Sequence, residues 1–108
     1  MIKTYNKLVR DRIPEIIRGK GDKPTTHTAT DAEYKVKLNE KLKEEVEEYL
    51  ESERNEELVD ILEIVYTIGH LKGLDNNELE ETRKRKVDEK GRFDRKTILE
   101  YVEEQDDD

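Results

Sequence analysis

Residues 38–71 read LNEKLKEEVEEYLESERNEELVDILEIVYTIGHL. The spacing predicts two amphipathic helices joined by a tight turn. In the first, about Asp31 to Leu50, Leu38, Leu42, Val46 and Tyr49 recur at helical spacing and mark the buried stripe. At roughly 100° per residue, Glu45 projects along the middle of that stripe, and Glu48 lies at its edge one turn on. Glu47 and Glu51 point to water. In the second, about Glu56 to Leu71, Leu58, Val59, Ile61, Leu62, Ile64, Val65, Tyr66, Ile68 and Leu71 cover nearly the whole circumference. A helix of that kind is buried. Its polar residues, Glu57, Asp60, Glu63, Thr67 and His70, fall in one stripe.

A buried carboxylate without a partner is costly, so these acids need an explanation. With the turn near Ser52 to Asn55, and Asn55 as N-cap, antiparallel pairing sets Glu45 and Glu48 against Glu57 and Asp60. Four converging carboxylates repel one another, and a hard divalent cation relieves that repulsion. All-oxygen ligation suits Mg²⁺, with Mn²⁺ as a substitute. The alternative is plain: charge runs such as KLKEEVEEYLESERNEE are usually solvated helix faces. Two acid pairs on core-facing stripes of adjacent helices, at matching depth, favour the metal.

The same residues carry a resemblance. EExxE at Glu44–Glu48, followed by ExxD at Glu57–Asp60 within EELVDILEIV, resembles the MazG-like all-α nucleotide pyrophosphohydrolases, a superfamily that includes phosphoribosyl-ATP pyrophosphohydrolase. YNKLVRDRIPEII near the start and KGRFDRKTILEYVEE near the end look like a small single-domain branch of it. The link between the two acid motifs, Tyr49 to Glu56, is shorter than in many relatives. The resemblance implies that Glu45, Glu48, Glu57 and Asp60 hold Mg²⁺ and that the chain works as a homodimer or homotetramer.

The 108 residues are enough for one domain, expected to span 1–108. Only 31% of residues are hydrophobic and 46% are charged, a balance that leans toward disorder. The apolar residues are nevertheless gathered at helical spacing, which argues for folding. The expected fold is all-α: an antiparallel bundle of four to five helices around the central hairpin, completed by oligomerisation. A core this small is marginal for one chain, and the second helix would pack against a partner subunit. There are no cysteines, hence no disulfide, thiol nucleophile or Cys-based zinc site. No N-terminal apolar run reads as a signal peptide, and no stretch approaches about 20 apolar residues. The expected setting is cytoplasmic. A net charge of −8 argues against nucleic-acid polymers and anionic membrane as partners.

Outside the hairpin, Leu8, Val9, Ile13, Ile16 and Ile17 form a short apolar face, with Pro14 in the first turn of a helix that Gly19 closes. Lys7, Arg10 and Arg12 make a compact basic cluster: either a surface patch or groups that meet phosphates. Residues 19–30, GKGDKPTTHTAT, are loop, and Thr30 or Asp31 caps the long helix. His27 is given no role. A third long helix runs from about Asn76 to Asp88. Its basic run is either a solvated face or, as the resemblance implies, a source of phosphate contacts from Lys86, Lys90 and Arg92. A short helix is expected from Lys96 to Glu103, with Ile98, Leu99 and Val102 inward, before a frayed tail at 104–108.

An acidic site holding Mg²⁺ suits phosphoanhydride hydrolysis. The expected reaction is cleavage between the α- and β-phosphates of a nucleoside triphosphate, giving monophosphate and pyrophosphate. Glu44 and Glu63 are candidates to take the water's proton. Lys41 is placed to meet a phosphate, and Tyr34, Tyr49 and Tyr66 are available as an apolar wall. Three functions stay open: a house-cleaning nucleotide pyrophosphatase, a phosphoribosyl-ATP hydrolase of histidine biosynthesis, and a non-catalytic helical oligomerisation or regulatory module.

Overall fold

Four helices, and no strands among the described residues, build the structure, a computed structural model that describes residues 1–106. They are α1 (Ile13–Gly19), α2 (Asp31–Ser52), α3 (Asn55–Leu71) and α4 (Asn76–Lys90). Each begins where local chemistry favours a start. Pro14 sits in the first turn of α1. The Thr30 hydroxyl accepts from Glu33 N at 3.2 Å at the head of α2, and an Asp75 carboxylate oxygen accepts from Glu78 N at 2.8 Å at the head of α4. Asn55, expected to cap α3, is instead its first residue. Arg54 holds the cap position without a side-chain capping bond to a helix N–H, and Ser52 Oγ accepts from Arg54 N at 3.3 Å.

The link between α2 and α3 is only Glu53 and Arg54. Glu53 ends α2 in the left-handed region, φ 56°, and its N–H reaches the Tyr49 carbonyl at 2.7 Å. So tight a link makes α3 fold straight back along α2, and these two helices share the main packed interface. Leu38 on α2, 2% exposed, and Ile64 on α3 are the buried apolar residues of that interface. Leu42, Val46, Tyr49, Ile61 and Ile68 are half-buried around them. α4 packs on α3 and does not reach α2. Its contact is at the near end: a Cβ on the buried Gly69 would lie 2.6 Å from Leu79 Cδ1, so the absent side chain is what lets Leu79 sit down on α3.

The expected last helix is corrected. Residues 96–103 are not helical; the described chain from Gly91 onward contains no helix. Ile98, Leu99, Tyr101 and Val102 are all exposed. An isolated helix shorter than about 12 residues is marginal in water, and this segment has no face to lie against. The tail expected to fray at 104–108 lies partly outside the described residues. Within one chain α3 is only partly covered, as expected of so small a core: Leu58, Val59, Leu62 and Val65 remain exposed. The molecule is accordingly open, with extents of 69 × 32 × 27 Å and a radius of gyration of 19.7 Å, against about 13 Å for a compact chain of this length. None of the helices is long and apolar enough to cross a membrane, among the described residues.

With so few wholly buried side chains, each counts heavily. Leu38→Ala is expected to cost about 3 kcal/mol, read as a lower urea midpoint with unchanged slope in equilibrium unfolding.

Candidate metal centre

The α2/α3 interface turns polar toward the link. Glu45 and Glu57 are 6% and 7% exposed, as buried as Ile64. They arrive there by helical register: Glu45 is seven residues beyond Leu38, two turns along the same stripe, and Glu57 is seven before Ile64. One oxygen each from Glu45, Glu57 and Asp60 lie within 4.8 Å of one another, and the same holds for Glu44, Glu45 and Glu48. Glu45 belongs to both groups and joins them.

The charges are unevenly answered. Lys41 Nζ lies 3.3 Å from Glu45 Oε1 and 3.6 Å from Glu44 Oε2. Lys7 Nζ donates to Glu44 Oε1 at 3.1 Å. Arg10 Nη2 donates to Asp60 Oδ1 at 2.6 Å. Arg54 Nη2 and Ser52 Oγ donate to Glu57 Oε1 at 3.2 and 3.3 Å. Glu45 Oε2 is buried with no hydrogen-bond partner among the described residues. An unanswered carboxylate oxygen in a buried place is costly. Its residue is the one common to both groups of carboxylates, and that fits an oxygen-seeking cation.

The electrostatics follow the same layout. Burial works against the charged form of Glu44, but the hydrogen bonds and attraction of Lys7 and Lys41 outweigh it and hold its carboxyl below the usual range. The bond to Glu44 in turn raises Lys7, against some loss of solvation. Glu48 moves the other way: loss of solvation, then the charge of the neighbouring Glu45, push its carboxyl up, with Glu44 and Glu57 adding to the effect.

The residues singled out from sequence are therefore sorted. Glu44, Glu45, Glu48, Glu57, Asp60, Lys7, Arg10 and Lys41 come together. Glu48 does so from outside: it is exposed, not turned to the core as expected. Its position three residues on rotates it about 60° off the Glu45 direction. Arg12 turns away and pairs with Glu15 at 3.3 Å. Glu63 is exposed and belongs to neither acid group. Lys86 and Lys90 are exposed on α4, which does not touch α2, and Arg92 lies exposed just past its end. Tyr34, Tyr49 and Tyr66 are half-buried, and His27 Nε2 is 2.9 Å from Glu33 Oε1. Sequence reasoning missed Ser52 and Arg54 as the groups that fix Glu57. The signal was present: Arg54 precedes Glu57 by three residues, a spacing that brings side chains together at a helix start.

No family model matches the chain, and no solved structure matches it. A curated protein of Mycolicibacterium smegmatis (strain ATCC 700084 / mc(2)155), described as an uncharacterized protein, is 55% identical over 42 residues. That stretch is 39% of this chain and 43% of the relative, so the likeness spans less than half of either.

The Glu48 shift has a consequence for stability. A raised folded pKa means the charged form is disfavoured in the folded state, so stability is lost as pH rises through the raised value. Glu48→Gln removes that penalty. In metal-free buffer the variant is expected to melt above the wild type at neutral pH and level with it at about pH 3, below the ordinary glutamate range. Paired thermal melts at the two pH values check this.

Proposed function

We propose that this protein is a Mg²⁺-dependent nucleotide pyrophosphohydrolase that cleaves the α–β phosphoanhydride of a nucleoside triphosphate. The observation that carries this reading is Glu45: a buried carboxylate with one oxygen unpartnered, shared between two carboxylate groups on facing helices. Glu45, Glu57 and Asp60 would hold the ion from the interface and Glu48 from its solvent side. Bound there, Mg²⁺ supplies charge neutralisation on phosphate oxygens and a lowered pKa for a ligated water.

The chain's own residues do the rest. Lys7, Arg10 and Lys41 supply donors for phosphate oxygens, Arg10 with its planar fork. Glu44, whose pKa is held low by the lysines beside it, is ionised at neutral pH and takes the proton from the attacking water on a carboxylate oxygen. The water oxygen bonds to the α-phosphorus as the bridging P–O bond breaks, and pyrophosphate departs. Glu63 has no place in this scheme because it lies outside both acid groups.

The exposed apolar stripe of α3 supports a second part of the proposal: the working form is a homo-oligomer. Leu58, Leu62 and Val65 recur at helical spacing on one face, each between 40% and 48% exposed. A face of that kind on a chain this open is best satisfied by its own copy in a symmetric contact.

Two outcomes test the proposal. Pyrophosphate release from a nucleotide panel that includes phosphoribosyl-ATP is expected only with Mg²⁺ or Mn²⁺. Glu45→Gln is expected to lower turnover by at least about a hundredfold with unchanged helical circular dichroism, since removing even supporting groups around a metal costs 10–100-fold. No release from any nucleotide, together with no melting shift on adding Mg²⁺, would instead favour a non-catalytic helical module. For assembly, sedimentation is expected to show a dimer or tetramer, and Leu62→Glu to shift it to monomer with a lower melting temperature.

A further inference from the structure

The N-terminal segment that crosses the acid site has a feature the hydrolase reading does not require. One short stretch reaches both helices of the hairpin with charged side chains: Lys7 meets Glu44 on α2 and Arg10 meets Asp60 on α3. A third tie, from Lys37 Nζ to the Asn6 carbonyl at 2.8 Å, fixes the start of the stretch, where Asn6 takes a left-handed φ of 46°. Between the two cations Leu8 and Val9 are half-buried. The helix that follows, α1, packs against none of the other three. The segment is thus tied to the hairpin by Lys7, Arg10 and the Lys37 bond, with Leu8 and Val9 adding burial.

The charge count around the site explains why the cations are there. Glu44, Glu45, Glu48, Glu57 and Asp60 face Lys7, Arg10, Lys41 and Arg54. Without a metal, these four cations nearly balance the five acids. A divalent ion among the carboxylates overturns the balance. Lys41 is 17% exposed and on the same helix as its partners, and Arg54 sits beside Glu57 in sequence, so neither has far to go. Lys7 and Arg10, 39% and 55% exposed, instead reach in from a separate segment. They are the ones that can leave without disturbing α2, α3 or their link.

We propose that Lys7 and Arg10 are place-holding cations: they neutralise the acid face while the divalent ion is away, are displaced when it binds, and are thereby presented to the phosphates of the nucleotide. The inference rests on the metal reading of the site and adds to it an order, ion before nucleotide. Arg10 Nη2 occupies Asp60 Oδ1 at hydrogen-bond distance, and the Asp60 carboxylate also completes a candidate ligand group with Glu45 and Glu57. A guanidinium and a metal ion held by one carboxylate repel each other strongly. Once freed, an Arg and a Lys three residues apart, both beside the ion, are placed as a phosphate-receiving pair.

The test is Mn²⁺ binding to the full chain without nucleotide, by titration calorimetry. Arg10→Met keeps the bulk and removes the competing charge, and is expected to bind Mn²⁺ roughly two- to fivefold more tightly than wild type, the exchange value of an exposed ion pair. With Mn²⁺ present, the same variant is expected to bind an α,β-methylene nucleoside triphosphate more weakly than wild type. Equal or weaker Mn²⁺ binding by Arg10→Met overturns the place-holding role while leaving the metal site standing. No Mn²⁺ binding by wild type overturns both. Hydrogen exchange on the wild type needs no variant: Mn²⁺ is expected to speed exchange at residues 5–12 while slowing it in α2 and α3. Exchange at 5–12 that is slowed or unchanged by the ion also overturns the proposal.

Discussion

Glu45 faces Glu57 across the main helix–helix interface among the described residues, and both are buried. Positions of that kind normally go to Leu or Ile. Two carboxylates there forgo the apolar burial that a chain with so small a core most needs. They also add repulsion, which Lys41, Arg54 and Ser52 offset only in part, since Glu45 Oε2 stays unpartnered. The interface therefore has two halves with opposite demands. At the Leu38/Ile64 end, packing holds α2 to α3. At the link end, charge pushes them apart, and the two-residue connection at Glu53 and Arg54 keeps them together regardless.

That division accounts for where the other elements go. The N-terminal segment lies over the acid end because its lysine and arginine find partners there. α4 goes to the opposite end, onto Gly69, where Leu79 has an apolar seat. Neither element covers Leu58, Leu62 and Val65. The uncovered stripe continues along α3 from the point where α4 leaves it. Since α4 offers only Leu79 and Val87 as apolar points in a strongly charged helix, it has nothing with which to cover more.

Periodicity made α2, α3 and α4 legible in the sequence, because a 3.6-residue repeat in LNEKLKEEVEEYL or EELVDILEIV depends on nothing beyond the segment itself. The same logic brought Glu45, Glu57 and Asp60 to attention as acids on apolar stripes. It failed where structure depends on a partner surface. Ile98, Leu99 and Val102 have helical spacing, but a short helix forms only when that face is buried, and within one chain it is not. Glu48 was misplaced because a stripe has an edge, and periodicity alone does not say how wide the facing helix is. Arg10 and Arg12 were indistinguishable in KLVRDRIPEII; only the path of the loop sends one to Asp60 and the other to Glu15.

The basic residues of the chain follow a related rule. Lys7, Arg10, Lys41 and Arg54 reach the acid site because each is tied to it by a nearby backbone, either on α2, at the α2–α3 link, or in the crossing segment. Lys86, Lys90 and Arg92 lie on or beyond a helix that leaves the hairpin after one contact. Proximity in charge pattern is not proximity in space: a long-range pair needs a chain path that delivers it, and an exposed pair contributes too little to bend a path on its own. The N-terminal cations are delivered by a segment whose Leu8 and Val9 also gain burial. The α4 cations have no such companion, since Val87 is the only half-buried residue near them. Apolar anchoring thus decides which charges take part in the site, and the charges then decide what the site can hold.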